Sequence, residues 1–121
     1  MEDRALLIEE RIQLLEATAK HFEEHPKLYS FMRTGVPVNG TIPCCPLGYM
    51  GVLLNKELPP DSEDRFSTWK VANILYGNDQ GSSLRFYTDM DTMVGKPDWV
   101  ADPSLMVSGL RLLAESWRAE L

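Results

Sequence analysis

Cysteine and histidine are scarce in this chain, two of each among 121 residues, and each kind stands close to its like: Cys44 beside Cys45, and His21 four positions before His25. That leaves no framework of disulfides, since neighbouring cysteines rarely bond to each other without straining the peptide between them. It also leaves no complete zinc-finger spacing, because zinc-binding cysteines normally stand two to four residues apart. Long apolar runs are missing as well, and none approaches the roughly 20 residues that a membrane-spanning helix needs. Basic residues are in deficit, 12 against 18 acidic ones for a net charge of −6. This balance works against binding the phosphate backbone of nucleic acids, which relies on clustered Lys and Arg. The opening MEDRALLIEER places acidic residues where a signal peptide carries basic ones, so a cytoplasmic protein with reduced cysteines is expected.

What is present suits one globular domain over residues 1–121, with 44% hydrophobic residues to build its core. Ile8, Ile12, Leu15, Ala19 and Phe22 recur at steps of four and three, which predicts a long amphipathic first helix. His25-Pro26 ends it, and Pro26 is expected to open a short second helix through PKLYSFMRT, stopped at Gly35. Asn39-Gly40 between the β-favouring runs of VPVNGTI predicts a hairpin turn. Pro46 stands as the first residue of a helix, with Cys45 as its N-cap and with Gly48 and Gly51 allowing close backbone approach. Asp61 or Ser62 is expected to cap a further helix through Tyr76, burying Phe66, Trp69 and Tyr76 on one face. LRFYT alternates as a strand does and is assigned to the hairpin's sheet. Asp102-Pro103 then starts a last helix that buries Leu110, Leu113 or Ala114, and Trp117. The fold class expected from these pieces is α+β and mainly helical: four or five helices with a two- or three-stranded antiparallel sheet.

Three short stretches could carry chemistry. The first, HFEEH at residues 21–25, resembles the inverted zinc-protease pattern, in which two histidines one turn apart hold zinc and Glu24 would be the base. Phe22 belongs to the apolar stripe, however, so both histidines flank that stripe, and no third ligand is announced. We therefore expect no metal and no cofactor. The second is the cysteine pair. A helix N-terminus lowers the pKa of a thiol at its cap, so Cys45, with His21 or His25 as base, would make a small cysteine-dependent hydrolase or transferase. The competing reading is two small buried side chains in a tight turn, reduced cysteine being among the most buried residue types. The third, LRFYTDMDTMVG, resembles the first motif of haloacid-dehalogenase-type phosphatases, which would make Asp89 the nucleophile and Asp91 the acid. Only 30 residues follow Asp91 in this sequence, too few for the rest of that parallel α/β fold.

The aromatic residues are generous for an acidic domain, and the neighbours in Phe86-Tyr87 cannot face the same way in regular structure, so some aromatic surface is expected to serve as an interaction patch. A long first helix, the turn Cys45-Pro46-Leu47-Gly48, a middle helix, an Asp-rich segment and a closing amphipathic helix follow one another along the chain. This order resembles small uncharacterised domains of actinobacteria and their phages, a resemblance that implies no activity. The function expected is that of a non-catalytic accessory or regulatory protein that binds another protein or pairs with itself. A homodimer would form through the Ile8–Phe22 stripe should the rest of the domain leave it bare. The cysteine enzyme is the alternative.

Overall fold

Four of the helices begin where the chain supplies an acceptor for otherwise unpaired N–H groups. In the computed structural model, which describes residues 6–33, 35–77 and 82–121, the backbone N–H of Leu7 donates to Glu10 Oε1 at 2.9 Å, just ahead of helix α1 (Ile8–Glu24). Cys45 caps α2 (Pro46–Leu54), and Ser67 caps α3 (Thr68–Leu75) by accepting from the Lys70 N–H. Helix α4 (Ser82–Val94) ends at Gly95, whose φ of 85° is open to glycine at little cost. The Asp102 carboxylate accepts from the N–H groups of Ser104 and Leu105 to start α5 (Pro103–Arg118). Single 3-10 turns stand at Pro26–Leu28 and Pro97–Val100.

The helices are wired as a ring. Each packs on the next in sequence, α1 on α2, α2 on α3, α3 on α4, α4 on α5, and α5 returns to α1 in the most extensive contact of all. Inside lie Leu15, Phe22, Leu47, Met50, Leu75, Phe86, Met90, Trp99, Met106 and Leu110, all essentially sealed from solvent. The α1–α5 seam runs antiparallel: the Arg11 guanidinium lies 5.7 Å from the Trp117 ring at one end, and Arg111 clamps Glu23 with two bonds of 2.6 and 3.0 Å toward the other. The Arg111–Glu23 ion pair is solvent-exposed, so it fixes register more than it adds stability. The hold comes from Ile12, Leu15, Ala19 and Phe22 buried against the face that carries Met106, Leu110, Leu113 and Trp117. The stripe expected to pair with a second copy is thus covered within the chain.

The expected α+β class is corrected: the described residues contain no strand and no sheet. LRFYT lies in α4, where Phe86 and Met90, four apart, share the buried face. Nor does VPVNGTI form a hairpin. The isolated bridge nearby, a parallel one between Tyr29 and Cys44, lies outside that stretch. The described part of PKLYSFMRT, residues 26–33, gives one 3-10 turn and no α-helix. The third helix begins at Ser67, later than Asp61 or Ser62, and Trp69 on it is 64% exposed while Val71, Ala72 and Leu75 take the core. The phosphatase-like aspartates are spent on packing. Asp89 accepts from the Tyr76 hydroxyl at 2.8 Å, and Asp91 accepts from the Trp99 indole N–H at 2.6 Å, which gives a fully buried ring its one required partner.

Asp91→Ala leaves that indole N–H without an acceptor, and the expected loss is about 1–3 kcal/mol in urea unfolding. Asp98→Ala, at an exposed position of the same region, should stay within about 0.5 kcal/mol.

Candidate functional site

Residues 30–33 and 35–43 belong to a loop whose two ends meet. The Cys44 N–H donates to the Leu28 carbonyl and the Ser30 N–H to the Cys44 carbonyl, both at 3.0 Å, and the Cys45 N–H reaches the Arg33 carbonyl at 3.2 Å. A buried backbone cannot leave these groups unpaired, so the bonds act as a clasp. Tyr29 fastens the clasp to the ring: its hydroxyl donates to the Val100 carbonyl at 2.9 Å and lies 3.2 Å from that of Trp99, while its ring meets Phe22 edge-on. Burial first, then the neighbouring Cys45, pushes the Tyr29 phenol far above its usual pKa, so it stays a donor.

Loop and helix α2 touch through glycine. A Cβ on Gly51 would stand 2.5 Å from Val36 Cγ2, and one on Gly48 would stand 2.9 Å from the Gly35 carbonyl oxygen. No side chain fits at either place, which is why two glycines are tolerated inside a helix. Farther along, Gly40 lies against the ring of Tyr49, and Tyr49 stacks on His21 with centroids 3.7 Å apart and planes 7° from parallel. The tip between these contacts is turned by Asn39, whose side-chain oxygen accepts from the Thr41 N–H at 2.9 Å. Outward, the loop shows Met32 at 86% exposure and Val38 at 79%.

The cysteines sit at the base of this loop, 1% and 2% exposed. Cys45 is the N-cap expected from Pro46, its Sγ accepting from the Gly48 N–H at 3.4 Å. Two effects oppose each other there. N–H bonds from Gly48 and Leu47 favour a thiolate, and burial disfavours one. Burial is the larger, so the Cys45 pKa lies above the ordinary thiol value, and burial pushes Cys44 up to about 12. Neither thiol is hydrogen-bonded to an imidazole among the described residues.

Of the two histidines, His25 is exposed and forms the C-cap of α1. His21 reaches α2, but it meets the Tyr49 ring one turn beyond Cys45. Its Nε2 is buried without a hydrogen-bond partner. Burial holds the His21 pKa below the usual 6.5, the His25 charge adds to that, and Glu24 opposes it. Among the described residues no three His, Cys, Asp or Glu side chains are grouped to hold a metal ion. The parts that sequence reasoning missed are Met32, placed in an expected helix, and Tyr49, which carried no signal beyond lying between Gly48 and Gly51. Comparison of the chain with known protein families, curated proteins and solved structures finds no match.

Two outcomes follow. Iodoacetamide at neutral pH should label neither cysteine in the native protein and both in urea, and Cys45→Ser should cost about 1–3 kcal/mol through an imperfectly paired buried hydroxyl. For His21 the unfolded chain binds a proton near the ordinary value of 6.5 while the folded chain resists it, so the unfolded state holds more protons as pH drops. The His21 contribution is therefore complete above that value and is lost as pH falls through it toward the lowered folded pKa. Melting temperature measured from pH 8 to pH 5 should fall more steeply for the native protein than for His21→Phe, and equal slopes would contradict the assignment.

Proposed function

We propose that this protein is a non-catalytic accessory or regulatory protein that acts by binding another protein, and that the loop 30–43 is the surface it offers. One observation carries the reading: Met32 and Val38 are held almost fully in water on a loop whose ends are hydrogen-bonded and whose flanks are seated on glycines. Exposed apolar side chains gain by leaving water. A clasped loop loses less conformational freedom when a partner covers it than a free one does. Arg33 is the single charged residue in the segment, so the contact would be mostly apolar.

The net charge of −6 favours a basic partner through long-range steering and opposes close approach of a second copy. With the α1 stripe covered by α5, a homodimer would need another face, and this loop carries the two most exposed of the large apolar side chains among the described residues, Met32 and Val38. The resemblance to small actinobacterial and phage domains implies no activity, in keeping with a binding role. We read the protein as one that works in a cytoplasm, where its thiols stay reduced. No helix among the described residues is long and apolar enough to cross a membrane.

A photo-crosslinking residue at position 38, in cells that naturally make the protein, should give a discrete adduct that disappears when Met32→Asp is added. Mass spectrometry of the adduct separates a foreign partner from a second copy. An adduct formed equally from position 112, where Leu112 is exposed on α5, or one indifferent to Met32→Asp, would remove the loop from the reading.

A further inference from the structure

Under the tip of the loop lies a groove of about 490 Å³, bounded by Val38 and Gly40 on one side, by Tyr49 and Val52 of α2 along its floor, and by Lys56 and Arg65 beyond the end of that helix. Its volume falls within the range of small-molecule sites, about 300–1,000 Å³. The distribution of charge along it is unlike that of the chain as a whole. Acidic residues outnumber basic ones 18 to 12 in the sequence, yet the charged residues lining the groove are both cations, and no carboxylate lines it. Neither cation is ion-paired with a described residue, whereas Arg111 and Arg118 on α5 are.

The cationic end is also held in place. Asn55, buried at the end of α2, accepts from the Phe66 N–H at 2.5 Å and donates to the Phe66 carbonyl at 3.0 Å. The two bonds tie off the turn that carries Lys56 and Arg65. Arg65 is steadied further, its Nη1 directed at the Leu58 and Pro59 carbonyls at 3.4 and 3.5 Å. A guanidinium with one nitrogen engaged keeps its other donors for an oxyanion.

We propose that the groove binds a small amphipathic carboxylate, with its hydrocarbon over Tyr49 and Val52 beneath Val38 and its anionic head at Lys56 and Arg65. The apolar floor selects the hydrocarbon, and the cations select the charge. A neutral alcohol of the same length satisfies only the floor. The site needs no protein partner, and it shares only the tip of the loop, Val38 to Gly40, with the docking surface.

The experiment uses octanoate and octan-1-ol, each titrated into the full-length ¹⁵N-labelled protein and followed by amide shifts. Octanoate should move the amides of Gly40, Tyr49, Val52 and Lys56 together, and octan-1-ol should bind about tenfold more weakly. Lys56→Glu alters an exposed side chain, so the fold and its spectrum should be kept while octanoate affinity drops about tenfold. Equal binding of the alcohol, octanoate shifts scattered away from the groove, or unchanged octanoate affinity in the Lys56→Glu protein would each overturn the proposal.

Discussion

The seam between α1 and α5 closes the ring, and everything placed on the ring inherits its position from that closure. Without it α1 would keep a bare stripe from Ile12 to Phe22, and the other helices would form an open chain of neighbours. One end of the seam is where Phe22 and Pro26 come near Pro103 and Val107. There the chain leaves α1 through a 3-10 turn and enters the clasp at Leu28 and Tyr29, and the Tyr29 hydroxyl is bonded to the turn that precedes α5. The loop therefore stands on both members of the helix pair. It is thereby anchored to the most extensive contact between helices among the described residues.

The opposition at Cys45 between a helix N-terminus and burial shows how position decides the sign of an effect. A cap thiol facing water would be driven toward thiolate. The same thiol, enclosed by Leu47, Met50 and the loop's own backbone, is driven the other way. His21 obeys the same rule with the opposite charge: enclosed beside Tyr49, it resists protonation, because a second proton would sit on a nitrogen with no acceptor. Both groups that resemble catalytic parts in the sequence are thus held in their neutral forms by packing.

What could be read in the sequence was local and periodic. The α1 stripe, the Cys45-Pro46 and Asp102-Pro103 starts and the buried Leu110, Leu113 and Trp117 face all follow from caps and spacing, and the structure has them. LRFYT misled because five residues of alternation do not separate a strand from one exposed and one buried helical face; the i to i+4 pair Phe86 and Met90 decides, and it becomes visible only in a longer window. A strand also needs a partner, and the one assigned to it is committed elsewhere, with Val36 seated on Gly51. Ser62 is a capping residue, but its hydroxyl accepts from the Asp64 N–H in a turn, which leaves Ser67 to begin α3. Among the candidate site residues, the burial of Cys45 was legible from its apolar neighbours. The meeting of His21 with Tyr49 was not, because it depends on the angle at which α1 crosses α2, and no residue type encodes that angle.

The clasp at Tyr29 and Cys44 also governs how the segment can change over time. Once the two ends of a loop are joined, the entropy of closing it grows only with the logarithm of its length, about 0.6 kcal/mol for each doubling. Val36 and Gly40 are the last residues fixed to α2 on either side of the tip. Between them, Val38 and Asn39 are exposed to solvent. Insertions and replacements at those two positions are therefore nearly free of consequence for the helical ring, whereas a single methyl group added at Gly51 is not. Evolution, or a library built on this scaffold, can exchange the tip while leaving the frame that presents it unchanged.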